Sequence, residues 1–299
     1  MRLRIVLIGL LLLLVTLIVA GLVLMAHAPS SSTKLRVVAA ENFYGDIVRQ
    51  IGGSHVAVTS ILSNPNADPH LFEPGTQNGL AVSTAALVIQ NGLGYDAFMQ
   101  RLESAAPSSH RVVVTIADTL GFHGAETNPH IWYDVPKLPL IAGSIASGLE
   151  RADPSHRAVY DSGLHRFLAS LAPLQREVAA IRASFSGQPV AYTEPVPGYL
   201  IEAAGLRNLA PSSFTRAIES GNSPTPQDYA TMIRLVTERR VRVLLYNTQA
   251  VSPVTSQIRS ASQRAGIPVL GVTETLPPGS TFQAWLLAET RALHRALAR

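Results

Sequence analysis

Four polar residues stand just beyond the carboxyl ends of predicted strands, and their side chains are of types that bind metal ions. Two are imidazoles, His70 and His130, and two are carboxylates, Glu194 and Glu274. Imidazole nitrogens and carboxylate oxygens together suit a divalent cation, because the carboxylates balance its charge. Since ligands of parallel α/β sheets lie beyond the carboxyl ends of strands, these residues form one candidate metal site.

Rigid backbone flanks each of the four candidates. The neighbouring prolines are Pro69, Pro129, Pro195 and the pair Pro277 and Pro278. Such flanks reduce the ordering cost of binding. The candidates are far apart in sequence, however, so no local metal motif is present. Ordinary roles stay open: a turn residue for His70, a packed core residue for His130, and helix-start carboxylates for Glu194 and Glu274.

Short β-rich runs alternate with amphipathic, helix-like segments along most of the chain. The predicted strands cover residues 35–40, 56–62, 87–90, 111–116, 189–193, 242–246 and 268–272. This alternation predicts parallel sheets covered by helices. The long gap after the fourth strand divides the strands into two groups, so we expect two α/β lobes, over residues 35–152 and 188–299.

The segment between the lobes, residues 153–187, has the pattern of one long helix. Asp153 and Pro154 form a typical helix start, and apolar residues then recur at helical spacing as far as Phe185. We expect a kink at Pro173, because proline lacks the N–H that a helix interior requires. A helical connection would join the lobes more stiffly than a loop.

The first 28 residues have the composition of an export segment. Arg2 and Arg4 precede an uncharged apolar stretch, residues 5–25, which ends in Ala26-His27-Ala28. The small-residue triplet favours cleavage after Ala28, whereas the stretch is also long enough to remain as a membrane anchor. Either outcome places the body of the protein outside the cytoplasm, behind a serine-rich tether at residues 29–34.

Composition excludes several classes of function. The chain has 24 Lys and Arg against 20 Asp and Glu and no basic run, which argues against nucleic acid as a partner. It contains no cysteine. Disulfides, thiolate metal sites and cysteine nucleophiles are therefore excluded, as is a thioether lipid anchor.

Several motifs resemble one family over residues 35–299, the metal-binding solute-binding proteins of zinc and manganese ABC importers. The matching stretches are VVAAENFYGDIVRQIGG, DPHLFEPG, LVIQNGLGYD, NPHIWYD, TEPVPGYLIEAAGL, SPTPQDYATMIRLV and TETLP. The resemblance implies two α/β lobes, each with a mostly parallel sheet, joined by one long helix. It places a metal in the cleft between them.

This resemblance implies His70, His130, Glu194 and Glu274 as ligands of a cargo metal, zinc or manganese, with iron as a further candidate. It implies that the chain is not an enzyme and delivers the metal to the membrane permease of an importer. We expect the chain to be a monomer, although no residue pattern bears on whether a dimer forms. Contact with the membrane would be only through an uncleaved N-terminal segment. Residues expected to support the ligands, or alternatively only to pack in the cleft, are Glu73, Asn91, Trp132, Asp134 and Tyr192.

The chain departs from the family pattern at three points. The histidine-rich loop of many zinc members is replaced by the short GFHGAETN, in which His123 and Glu126 are further candidates for metal capture. Glu274 stands where aspartate is usual, and there is no cysteine for a lipid anchor. Two alternatives are a secreted metal-dependent hydrolase, which would need a water position and a general base, and a surface adhesin on the same scaffold.

Overall fold

Two four-stranded parallel sheets form the framework of the computed structural model, which describes residues 33–65, 69–124 and 126–299. The strands are β1 (Leu35–Glu41), β2 (Val56–Leu62), β3 (Leu87–Gln90), β4 (Val112–Thr115), β5 (Pro189–Tyr192), β6 (Arg207–Asn208), β7 (Leu244–Asn247) and β8 (Val269–Val272). The predicted export segment 1–28 and most of the tether lie outside the described residues.

Both sheets have the same strand order. In the first it is β2-β1-β3-β4 and in the second β6-β5-β7-β8. In each sheet the first strand along the chain is internal, the second forms one edge, and the third and fourth lie on the other side of the first. All pairs are parallel; for example, Val37 of β1 lies between Val58 of β2 and Leu87 of β3. The predicted fold class, two α/β lobes with parallel sheets, is confirmed.

Helices cover the sheets and connect the strands. They are α1 (Asn42–Gly52), α2 (Thr76–Thr84), α3 (Phe98–Ala105), α4 (Ile116–Thr119), α5 (Leu138–Ala152), α6 (Arg157–Ser170), α7 (Ala172–Phe185), α8 (Gly198–Ala203), α9 (Ser212–Glu219), α10 (Pro226–Thr237), α11 (Pro253–Arg264) and α12 (Phe282–Leu297). Short 3-10 turns include Pro69–Leu71, which contains His70, and Ile131–Tyr133, which directly follows His130.

The segment that links the lobes is helical but not continuous. It consists of a 3-10 turn at Pro154–His156, then α6 and α7, which are separated by a turn at Leu171. Because Pro173 has no N–H, the carbonyl four residues before it loses its usual helical partner. The interruption therefore falls where a kink was predicted and divides the expected helix into two.

One hydrophobic core runs through both lobes. In the first lobe Phe43 stacks on Trp132, with ring centroids 4.3 Å apart, and in the second Trp285 lies against the same ring of Phe43 at 6.3 Å. Buried residues of α7 and α12 belong to this core as well. The lobes are thus joined by packing as well as by the linking helices, and residues 34–299 form a single compact unit.

Candidate metal centre

Residues from both lobes meet beyond the carboxyl ends of the strands. His70 lies in the 3-10 turn after β2, and His130 directly precedes the turn Ile131–Tyr133. Glu194 follows β5 and Glu274 follows β8, each two residues past the end of its strand. The position agrees with the rule that ligands bind where the strand order of an open sheet reverses, at the carboxyl ends.

Three of the four predicted ligands converge directly. Oε2 of Glu274 lies 3.3 Å from Nε2 of His130 and 3.5 Å from Nε2 of His70. Within the described part of the chain, these three side chains form the group whose ligand atoms all lie within 4.8 Å of one another. His130 and Glu274 are fully buried, while the His70 side chain is 20% exposed and faces the opening.

Glu194 reaches the same place through an amide. Nδ2 of Asn247, at the end of β7, donates a hydrogen bond to Oε1 of Glu274 at 2.6 Å and another to Oε2 of Glu194. Oδ1 of Asn247 accepts from the backbone N–H of Gln249 at 3.0 Å, which fixes the orientation of the amide. One donor group therefore holds two buried carboxylates side by side, although Glu194 is not within the closest group of three.

The surroundings favour the ionised form of Glu274. Burial by itself raises the pKa of this carboxyl, but the hydrogen bond with His130 and the charges of His130 and His70 outweigh burial and leave the pKa below its ordinary value. Tyr95 adds a neutral donor, since its hydroxyl lies 3.0 Å from Oε2 of Glu274. The site thus keeps an anionic oxygen between two imidazoles, as a cation requires.

The residues predicted to support the ligands differ in how closely they approach the site. Nδ2 of Asn91 donates to the carbonyl of Pro129 at 2.9 Å and so holds the backbone before His130. Trp132 is buried with its ring 5.2 Å from that of His130. Tyr192 lines the cleft, Asp134 pairs with Lys137 at 2.9 Å, and Glu73 is exposed, with no contact to the site among the described contacts.

Sequence reasoning missed four residues that support the site: Tyr95, Asn128, Asn247 and Gln249. Oε1 of Gln249 accepts from the backbone N–H of Glu274 at 2.6 Å and of Thr275 at 3.0 Å, which positions the chain after β8. Asn247 ends a strand, so the strand-end rule would have found it had amides been counted with imidazoles and carboxylates.

A second buried carboxyl pair lies behind Tyr95. Glu41, at the end of β1, and Asp96 are both buried, and burial followed by their mutual repulsion raises the pKa of Glu41 well above its ordinary value. Asp96 accepts from the backbone N–H groups of Asn91 at 2.5 Å and Gly92 at 2.9 Å. Asp96 therefore fixes the loop that carries Tyr95, and the neighbouring Glu41 is shifted toward its protonated form.

A cleft of about 620 Å³ leads from the surface to the site. His70, Tyr192 and Glu219 are among its lining residues, and Oε1 of Glu219 lies 3.7 Å from Nδ1 of His130. At the rim, Glu126 of the first lobe forms an ion pair with Arg216 of α9. His123 is exposed in the same loop. The cleft gives a small hydrated ion a path to His70.

Comparison with known proteins identifies the family. The sequence profile of ZnuA, "Zinc-uptake complex component A periplasmic", matches residues 37–296. The chain belongs to this family. The zinc-uptake family comprises binding components of metal importers, so the resemblance, the extracytoplasmic metal-binding role and the expectation that the chain is not an enzyme are confirmed.

Two curated relatives of the zinc-uptake family illustrate the range of similarity. A manganese ABC transporter substrate-binding lipoprotein, scaA of Streptococcus gordonii, is 24% identical over 257 residues, which are 80% of this chain and 79% of that protein. A putative metal-binding protein of Treponema pallidum is 27% identical over 207 residues, 60% of this chain and 65% of that relative.

Solved structures have the same fold. A crystal structure of ZnuA superposes with a TM-score of 0.73 at 21% identity and covers 89% of this chain and 100% of its own. A mutant of the laminin-binding adhesin Lmb from Streptococcus agalactiae gives 0.74 at 21% identity, with 88% and 99% covered. At this identity the likeness shows the fold alone, so it lends no support to the adhesin alternative.

Within residues 33–65, 69–124 and 126–299, no helix has both the length and the apolar character that a bilayer crossing demands.

Proposed function

We propose that this protein binds zinc or manganese between its lobes through His70, His130, Glu194 and Glu274 and delivers the ion to the permease of an ABC importer. Iron is a further candidate cargo. The observation that carries the proposal is the convergence of three ligand atoms from two lobes, with Glu194 held next to them by Asn247.

The distances between the ligand atoms suit a single ion. Bonds from zinc to nitrogen or oxygen are about 2.0–2.2 Å long, so two ligands of a tetrahedral site lie about 3.4 Å apart. The two histidine nitrogens lie 3.3 and 3.5 Å from the Glu274 oxygen. Both carboxylates could also bind through two oxygens, which would give the five or six ligands that manganese accepts.

The choice between the metals is not decided by affinity. By the Irving–Williams order any site of imidazoles and carboxylates binds zinc more tightly than manganese. Supply and geometry therefore determine the cargo, and the curated relatives' names include manganese importers. The short loop before Pro129, which lacks a histidine tract, gives no added preference for zinc.

Capture and delivery require only a small closure of the lobes. The shared core and the linking helices α6 and α7 oppose a large hinge motion, so we expect His70, which is partly exposed, to make most of the adjustment. The importer then recognises the closed form. The protein acts as a monomer, attached to the membrane, if at all, through residues 1–28.

A thermal-melt titration of purified, chelator-treated protein tests this function. Wild-type protein should gain about 2.7 kcal/mol of stability at a zinc concentration of 100 times Kd. His130→Ala and Glu194→Ala should lose most of that gain, because each removes a buried ligand. Manganese should give the same pattern at higher concentration.

Matched controls separate the site from surface binding. His110→Ala and Glu238→Ala remove one imidazole and one carboxylate from exposed positions and should respond to zinc as the wild type does. If neither metal shifts the melt, or if all four variants respond alike, the proposed site is wrong.

A further inference from the structure

Asn128 lies where the two lobes meet and contacts both of them. It precedes His130 by two residues in the first lobe. Its Nδ2 donates to the carbonyl of Pro195 at 2.8 Å, and Pro195 directly follows Glu194 in the second lobe. The hydroxyl of Tyr199, in α8, donates to the Asn128 carbonyl at 2.9 Å. This one residue is therefore tied to the backbone beside a predicted ligand of each lobe.

The orientation of the Asn128 amide follows from its backbone partners. Oδ1 accepts from the backbone N–H of His130 at 3.1 Å, while Nδ2 faces the carbonyl of Pro195. A backbone N–H only donates and a carbonyl only accepts, so a flipped amide would place donor against donor and acceptor against acceptor. The oxygen of this amide must therefore face His130.

The same oxygen determines which imidazole nitrogen carries the proton. Oδ1 of Asn128 lies 2.7 Å from Nδ1 of His130, and since it can only accept, Nδ1 must be the donor. Glu219 also faces Nδ1, but at 3.7 Å it is beyond hydrogen-bond distance. Glu274 competes for the ring proton from the other side, but its oxygen lies 3.3 Å from Nε2, whereas the Asn128 oxygen lies 2.7 Å from Nδ1. A ring with a single proton therefore keeps it on Nδ1 and leaves the lone pair on Nε2.

We infer that Asn128 is a positioning residue, which holds His130 in the Nδ1–H tautomer so that Nε2 is the nitrogen offered to metal. It also ties that imidazole to the segment of Glu194 across the lobe boundary. This inference rests on the proposed function, because the tautomer of His130 matters only if Nε2 binds a metal. Partners of this kind orient metal-binding histidines, and their loss typically lowers metal affinity about 10–100-fold.

Two substitutions separate the two contacts of Asn128. Asn128→Asp keeps an acceptor for Nδ1 but places an oxygen against the Pro195 carbonyl, so the tautomer should persist while the melting temperature falls. Asn128→Ala removes both contacts, so His130 should become a mixture of tautomers and zinc affinity should fall about 10–100-fold. Asn128→Asp should lose less affinity than Asn128→Ala.

The tautomer is read directly from the two ring-nitrogen chemical shifts of His130 by long-range ¹H–¹⁵N NMR on chelator-treated protein, recorded as a pH series up to the value at which these shifts show a ring with a single proton. Zinc affinity is measured separately by competition with a chelator. A Gly198→Ala variant gives a milder test if Asn128→Ala does not fold, since its Cβ would lie 2.8 Å from Nδ2 of Asn128 and displace the amide. Asn222→Ala, at an exposed asparagine, is the control.

The outcomes distinguish this inference from the proposed function. A wild-type His130 with its proton on Nε2, or an Asn128→Ala variant with an unchanged tautomer and affinity, would overturn the role of Asn128 and leave the metal site intact. A wild-type protein that shows the Nδ1–H tautomer but binds no zinc would overturn the proposed function, and with it the purpose given to Asn128.

Discussion

At the scale of single residues, the candidate site depends on an amide that separates two carboxylates. Asn247 donates from one NH2 group to Glu194 and Glu274, both of which are buried and lie in the same lobe. Two like charges this close would repel each other without a shared donor or a cation between them. The amide supplies a neutral donor and leaves Oε2 of Glu274 to face the two histidines.

Asn247→Asp should therefore destabilise the metal-free protein by about 2–4 kcal/mol, because it replaces the shared donor by a third acid in a buried cluster. A bound divalent ion should offset much of the added repulsion, so the stability gained with zinc should be larger than in the wild type. Urea unfolding with chelator and with saturating zinc measures both quantities.

The control for this prediction is Asn222→Asp, which makes the same chemical change at an exposed residue and should alter neither quantity. A variant of Asn247 that is as stable as the wild type without metal would contradict the role given to the amide.

What the sequence predicted of the site follows from the chemistry of each residue type. His70, His130, Glu194 and Glu274 were predicted because imidazoles and carboxylates at strand ends suit a metal; three of them converge, and Asn247 ties Glu194 to Glu274. Asn128 and Tyr95 were not predicted, because amides and phenols are common in loops and their roles appear only when distant segments meet. Asn247 was missed because amides at strand ends were not counted as candidates. Glu73 was selected for its place beside His70, yet its side chain is exposed.

At the scale of elements, the close approach of helices α1 and α6 depends on one glycine. A Cβ on Gly163 would lie 2.0 Å from the carbonyl oxygen of Ile51, which is backbone and cannot rotate away. The two helices can pack this closely only because residue 163 has no side chain. The contact anchors the first half of the linking segment to the first lobe.

Gly163→Ala should accordingly destabilise the protein by about 2–3 kcal/mol, although alanine favours a helix by about 1 kcal/mol over glycine. Gly143→Ala, in the interior of α5, meets no atom within 4 Å and should instead stabilise it, by up to about 1 kcal/mol. Urea unfolding of the two variants gives the signs. A stabilising Gly163→Ala would show that the helices separate readily.

Strands that contain a run of apolar residues were predicted closely, and a strand without one was not. Strands β2 and β3 have the predicted bounds because β-branched and aliphatic residues fill most of each, the exceptions being Ser60 and Gln90. Strand β6, Arg207–Asn208, has only two residues and neither is apolar, so nothing in its sequence indicates a strand. Its pairing with β5 is dictated by the position of α8, which no local pattern contains.

At the scale of the whole molecule, a buried acid couples stability to pH. Glu289 of α12 accepts hydrogen bonds from Tyr133 at 2.6 Å and Trp285 at 2.9 Å, so its carboxylate lies between the lobes' packed aromatic rings. Burial raises its pKa to about 7, and these hydrogen bonds prevent a larger rise. When Glu289 is protonated, the single hydroxyl proton of Tyr133 can turn to the carbonyl of Thr273, 2.7 Å away, and the Tyr133 oxygen then accepts from Glu289.

The direction of the pH dependence follows from the proton count. Between about pH 4.3, where an unfolded glutamate ionises, and about pH 7, the folded state holds a proton that the unfolded state has lost. The contribution of Glu289 to the free energy of unfolding is therefore largest below about pH 4.3, falls as the pH rises to about 7, and does not change further above that pH. The loss is on the order of 2 kcal/mol: one pKa unit corresponds to about 1.4 kcal/mol, and solvent screening reduces the total because residue 289 as a whole is only partly buried.

Glu289→Gln should remove this loss. The amide oxygen can accept from Trp285 while its NH2 group donates to the Tyr133 oxygen, so the variant stays fully hydrogen-bonded. Its stability relative to the wild type should rise between about pH 4.5 and pH 7 by on the order of 2 kcal/mol. Urea unfolding across this range measures the difference, with exposed Glu238→Gln as a control whose difference should not vary. A difference that is constant for Glu289→Gln as well would mean that the carboxylate is already ionised between the lobes, held by its donors against the cost of burial.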